Sequence, residues 1–112
     1  MISGDVIRGT IDLLVLDSVL DEPSYGYAIS KRIESRVDGR YEIKETTLNS
    51  AMRRLERAGV LESYKDTSAA GRPRTYYRIA EAGREFYWQR RAEWLATVEI
   101  VSQFIREEGS SR

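Results

Sequence analysis

The chain has 112 residues, with 18 Lys plus Arg balanced by 18 Asp plus Glu. It holds no histidine and no cysteine, which excludes disulfides, thiolate or imidazole metal sites, and Ser-His or Cys-His nucleophile pairs. No cofactor or metal is expected; a chain this long builds one modest core with room for an appended helix, and the cysteine-free composition fits the cytoplasm.

The first predicted element spans residues 5–20. Val6, Ile7, Ile11, Leu13, Leu14, Leu16, Val19 and Leu20 cover a wide face at helical spacing. Asp12 and Asp17 interrupt the run, which is too short to cross a bilayer. It reads as a buried first helix, not a signal peptide or membrane anchor. Asp21-Glu22-Pro23-Ser24 stops it, because proline disfavours the helical conformation of the residue before it. Ser24 is expected to cap a second helix. That helix should turn Tyr27, Ala28, Ile29 and Ile33 inward and leave Lys31, Arg32 and Arg36 to solvent. Val37-Asp38-Gly39-Arg40 is a turn.

A third helix is predicted over Thr46–Ala58, with Leu48, Ala51, Met52 and Leu55 as its apolar stripe. Thr46, Ser50, Arg53 and Arg57 project opposite that stripe, and Thr47 and Asn49 fall on its flanks. Gly59 ends the helix. Two strands follow, Val60–Asp66 and Arg74–Ile79, joined by T-S-A-A-G-R-P. Alternation in the second puts Thr75, Tyr77 and Ile79 on one side and Tyr76 and Arg78 on the other. The last helix is predicted over Glu81–Glu107. Tyr87, Arg91, Trp94, Val98, Val101 and Ile105 step by alternating fours and threes, an a/d seam interrupted by one arginine. Leu95, Ile100 and Phe104 widen an apolar surface that one small domain cannot cover. Residues 109–112 read as a flexible tail.

The expected fold is mainly α with a small β hairpin. Three helices and a hairpin in that order are a winged helix-turn-helix, residues 1–80, followed by a long C-terminal helix, residues 81–108. Charge is segregated over these parts: residues 1–39 carry a net −3, residues 40–91 a net +5 and residues 92–112 a net −2. A basic centre points to one polyanion-facing surface. In this architecture the third helix enters the major groove. Thr46, Thr47, Asn49 and Ser50 are candidates for base edges or phosphates, and Arg53 for guanine. Arg54 lies beside it. Arg72 and Arg74, with Tyr76, are candidates on the wing, and Tyr25 at the start of the second helix. Other readings compete. Arg53, Arg54 and Arg57 can pair with Glu45, Glu56 and Glu62, and Tyr76 and Tyr77 can serve strand packing alone. In a different class, a winged helix can be a protein–protein adaptor; zero net charge fits that, and the arginine-rich wing argues against it.

Three segments carry a resemblance: G-Y-A-I-S-K-R-I, T-L-N-S-A-M-R-R-L-E-R-A-G-V-L-E-S and G-R-P-R-T-Y-Y-R-I-A-E-A-G-R. Together, in this order and spacing, they resemble the PadR family of bacterial transcriptional regulators in its short-tailed subgroup, over residues 5–106. The family usually reads G-T-L-Y-P at the start of the third helix, where this chain reads T-T-L-N-S. Thr46, Asn49 and Ser50 replace glycine, tyrosine and proline, so the resemblance implies a base preference of its own. Ala80 stands where the family commonly has a capping threonine. The resemblance implies a homodimer clasped through the terminal helices and bound to an operator with two half-sites. It also implies an interface that can hold a small hydrophobic effector. Tyr87, Arg91, Trp94, Val98, Val101 and Ile105 would line that interface, with Trp94 either as an aromatic wall for the effector or, the reading that needs no ligand, simply as packing between the two copies.

Overall fold

The computed structural model describes residues 10–67 and 71–105. Positions 5–9 of the expected first helix, positions 68–70 of the wing loop and positions 106–112 at the C-terminus lie outside the described residues. In chain order the elements are helix α1 (Ile11–Ser18), strand β1 (Ser24–Tyr25), helix α2 (Gly26–Arg36), helix α3 (Glu45–Arg57), strands β2 (Leu61–Asp66) and β3 (Arg74–Ile79), and helix α4 (Glu81–Phe104).

The apolar stripes read from helical spacing meet in one core. Val15 and Leu16 of α1, Ile29 and Ile33 of α2, and Leu48, Ala51, Met52 and Leu55 of α3 are all buried there with Leu61 of β2. Each large aliphatic side chain so buried stabilises the fold by about 1.5–3 kcal/mol. No polar side chain is among the buried residues described. The turn after α3 uses the freedom of glycine. Gly59, at φ 81°, donates its N–H to the Glu56 carbonyl, and Val60 donates to that of Leu55. These two bonds satisfy helix-end carbonyls that would otherwise be orphaned. They also swing Val60 into the core.

Two expectations for α2 change. Ser24 does not cap it. Ser24 and Tyr25 form β1, which pairs antiparallel with β3 at Ser24↔Tyr77 and Tyr25↔Tyr76. The sheet is therefore three-stranded, in the order β1-β3-β2, where a two-stranded hairpin was expected. Backbone pairing to β3 satisfies the main chain ahead of α2, and Tyr25 takes the N-cap position with no side-chain cap bond. Tyr27 does not face inward either. It is 68% exposed, with the Lys31 ammonium 5.5 Å above its ring. At about 100° per residue it lies far around the helix from Ile29, and only the Ile29–Ile33 stripe reaches the core.

Helix α4 starts at Ala80 without a side-chain cap, and its first two turns lie against the domain. Gly83 and Tyr87 are its buried residues. A Cβ on Gly83 would stand 2.1 Å from the Val60 carbonyl oxygen, so the close approach of helix and chain requires glycine there. From Trp88 onward nearly every residue of α4 is exposed. The helix projects outward, and the molecule is 62 Å along its longest axis and only 28 and 21 Å across the others.

Candidate nucleic-acid interface

Helix α3 presents the polar face expected of it. Thr46, Ser50, Arg53 and Arg57 are exposed opposite the buried stripe, and Thr47 is exposed on its flank. Asn49 is half-buried at the edge of a groove of about 550 Å³ between α2 and α3, beside Tyr27, Ser30 and Glu45. The three arginines of this helix differ. Arg54 reaches back to α1 and donates to the Asp12 carboxylate. Arg53 and Arg57 make no ion pair among the described residues. Two of the three glutamates that could have neutralised them are engaged elsewhere. Glu56 accepts from Ser63 at 2.6 Å, and Glu62 pairs with Arg78 at 3.0 Å.

The sheet has two unlike faces. Its inner face carries Leu61, Tyr77 and Ile79 toward the core. Burial raises the Tyr77 phenol's pKa, and the Glu56 carboxylate adds to the shift while Arg53 opposes it. The outer face carries a row of three tyrosines, one from each strand. Tyr25 meets Tyr76 edge-on at 5.5 Å, and Tyr64 stacks on Tyr76 at 5.8 Å. Tyr76 thus packs against other rings on both sides. Two arginines lie on this row. The Arg74 guanidinium is 4.1 Å from the Tyr25 ring centroid, and that of Arg78 is 5.0 Å from Tyr64. Arg72 stands exposed at the strand entrance, without an ion pair among the described residues.

A second cavity, of about 400 Å³, lies where α4 leaves the domain. Leu13 and Leu14 of α1 and Tyr87, Arg91, Trp94 and Leu95 of α4 line it. Tyr87 is only 7% exposed, because its own chain's α1 covers it. Its hydroxyl donates to the Asp17 carboxylate at 2.5 Å. Burial, then that hydrogen bond and the carboxylate's charge, push its pKa up to about 12, against the opposing pull of Arg91 and Arg36. Trp94, Val98, Val101 and Ile105 of the expected seam are exposed, as are Leu95, Ile100 and Phe104. Exposure of the large apolar residues beyond Leu95 runs from 40% at Val98 to 87% at Phe104.

Sequence reasoning missed Asp12, Asp17, Glu62 and Tyr64. Strand alternation could have placed Glu62 and Tyr64 on the face of Tyr76 and Arg78. The helix-to-helix contacts of Asp12 and Asp17 left no local signal.

Three helices of which the last presents a polar, cationic face, followed by a twisted wing, define a winged helix-turn-helix domain, here with a long terminal helix. The chain belongs to the transcriptional regulator PadR-like family, whose pattern it matches over residues 15–89. Members of that family are transcriptional regulators, not enzymes. The structure is similar to that of a transcriptional regulator from Clostridium thermocellum, with 43% identity and a TM-score of 0.86 over 95% of this chain and 100% of that one. It is also similar to a PadR family transcriptional regulator from Eggerthella lenta, with 34% identity and a TM-score of 0.77 over 95% of this chain and 88% of that one. The fold alone is shared with Bacillus subtilis PadR, solved in complex with operator DNA. That match has 13% identity and a TM-score of 0.63, over 95% of this chain and 52% of that one. No helix among the described residues is long and apolar enough to cross a membrane.

Proposed function

We propose that two copies of this chain clasp through α4 and bind an operator with two half-sites, repressing transcription until a small hydrophobic effector enters the interface. The observation that carries this reading is the pairing of two surfaces. An α4 face is left uncovered at Val98, Val101 and Ile105, and an α3 face offers Thr46, Thr47, Ser50 and Arg53 to a partner. A dimer covers the first and thereby sets two copies of the second at a fixed separation, as successive half-sites require. Asn49 and Arg53 read base edges, and Arg72 and Arg74 hold the backbone beside the site. That B. subtilis PadR, which shares the fold, was solved with operator DNA supports DNA as the partner. Trp94 and Leu95, both exposed on α4, line the cavity together with Arg91. An effector held there favours one angle of α4, and operator affinity falls by the effector's differential affinity for the two arrangements.

The test is duplex binding at two salt concentrations, using DNA upstream of the protein's own coding region, combined with solution mass by light scattering. A dimer with steeply salt-dependent affinity is expected, since phosphate contacts release counterions. Arg72→Ala should weaken binding to all sequences alike, and Asn49→Ala should change base preference instead. A monomeric mass together with salt-independent binding would remove the reading and leave the winged surface to a protein partner.

A further inference from the structure

The outer face of the wing holds Arg74 and Arg78 in the same strand and on the same side, yet it treats them differently. Arg78 donates its Nε–H to Glu62 at 3.0 Å, so a carboxylate already answers its charge. Arg74 makes no ion pair among the described residues, although Asp66 faces it across the β2–β3 register. Its guanidinium lies over the ring of Tyr25 at 4.1 Å. A guanidinium stacked on a ring uses its face, and the N–H donors around its edge stay available. Tyr25 is itself held twice, by backbone pairing to Tyr76 and by edge contact with the Tyr76 ring. Tyr64 braces Tyr76 from the other side.

We propose that Tyr25 is a positioning residue that holds Arg74 ready for a DNA phosphate, and that Glu62 withdraws Arg78 from that role. This rests on the DNA-binding reading above and assigns the wing's phosphate contact within it. An unsupported arginine loses side-chain freedom when it meets a phosphate, and one already laid on a ring has lost much of it beforehand. Planar, bidentate phosphate binding then needs no search. Tyr25 acts through Arg74 and need not touch DNA. Such a contact is independent of sequence, so any duplex reports it.

The experiment measures affinity for a mixed-sequence duplex at several salt concentrations by fluorescence anisotropy. The proteins are the parent, Tyr25→Phe, Tyr25→Leu, Arg74→Ala, Glu62→Gln and the double variant Tyr25→Leu/Arg74→Ala. Tyr25→Phe should bind like the parent, because the ring is kept. Tyr25→Leu should bind about fivefold more weakly with its salt slope unchanged, since the arginine is still present but no longer held. Arg74→Ala should lower the slope by about one counterion, and Glu62→Gln should raise it by about one as Arg78 is released. Adding Tyr25→Leu to Arg74→Ala should cost less than about twofold further, because a positioning residue has no effect without its partner. Full additivity overturns the proposal, and so does a Tyr25→Phe variant as weak as Tyr25→Leu, which would put the hydroxyl on DNA. Should Tyr25→Leu fail to fold, Tyr25→Trp replaces it. Trp must match or exceed Phe with Arg74 present, and the two must be equal in the Arg74→Ala background. A parent that binds no duplex ends the DNA-binding reading and this role together, whereas strong parental binding with additive losses ends this role alone.

Discussion

The hydroxyl of Tyr87 donates to the carboxylate of Asp17 at 2.5 Å, across 70 positions of sequence. Arg36 of α2 lies 3.9 Å from the other oxygen of the same carboxylate. One acidic side chain thus ties the projecting helix α4 to both α1 and α2, at the floor of the cavity beside Trp94. With the packing of Gly83 on Val60, this contact holds α4 at the angle at which it leaves the domain, and in the proposed dimer that angle would set the separation of the two α3 helices.

The contact has a pH signature. Tyrosine in the unfolded chain ionises near pH 10, and Tyr87 in the folded protein keeps its proton to about pH 12. Its contribution is therefore complete below about pH 10 and is lost as pH rises toward about 12. At about 1.4 kcal/mol per unit, the rise from 10 to about 12 corresponds to a loss of about 3 kcal/mol. Thermal melts across that interval should show the parent losing stability more steeply than Tyr87→Phe, which has no proton to release. Parallel curves would mean that the phenol is not held in this way.

Gly83→Ala should destabilise the protein even though alanine favours a helix by about 1 kcal/mol over glycine. The added carbon would sit 2.1 Å from the Val60 carbonyl oxygen and 2.8 Å from Ile79 Cγ1. Backbone must move to make room, and overpacking of this kind costs about 1–3 kcal/mol, occasionally more. A lower melting temperature by circular dichroism is the expected outcome, and a higher one would show that α4 can shift freely on the sheet.

The Asp12–Arg54 pair predicts a difference between neighbouring arginines. Arg53 makes no ion pair among the described residues, whereas Arg54 is held on α1. Arg53→Ala should lower the salt slope of duplex binding, and Arg54→Ala should leave it nearly unchanged. Asp12→Asn should alter stability by less than about 1 kcal/mol, as partly exposed pairs do, and should add about one counterion to the slope by releasing Arg54. Equal slopes for the two alanine variants would show that the pair opens on DNA.

Charge placed on the uncovered face of α4 should separate the proposed dimer. Val101→Asp puts a carboxylate at a position 47% exposed in the single chain, so the isolated domain should melt close to the parent. Burial in an interface would instead leave that charge unpaired and desolvated, at several kcal/mol. Light scattering should report half the parental mass. An unchanged mass would move the interface elsewhere.

Much of this architecture was written locally. The stripe Leu48, Ala51, Met52 and Leu55 announces α3 and its buried face through helical spacing alone, and so identifies Thr46, Ser50, Arg53 and Arg57 as the opposite face. Gly59 announces where that helix stops, and the apolar steps of α4 announce a surface its own domain leaves largely bare. These features follow from the geometry of a single helix or strand, so a window of a few residues contains them.

What the chain does with those elements was decided by contacts between distant segments. Ser24 looked like a cap and became a strand, because β3, some fifty residues later, offers a free edge. Tyr87 fits the a/d spacing of the α4 seam, yet α1 of the same chain covers it. Arg54 and Arg78 resemble Arg53 and Arg74 in sequence and differ from them only because Asp12 and Glu62 arrive from other elements. Periodicity settles which side of an element is apolar. Which charge meets which, and which ring lies under which cation, depends on how the elements pack, and packing minimises free energy over the whole chain.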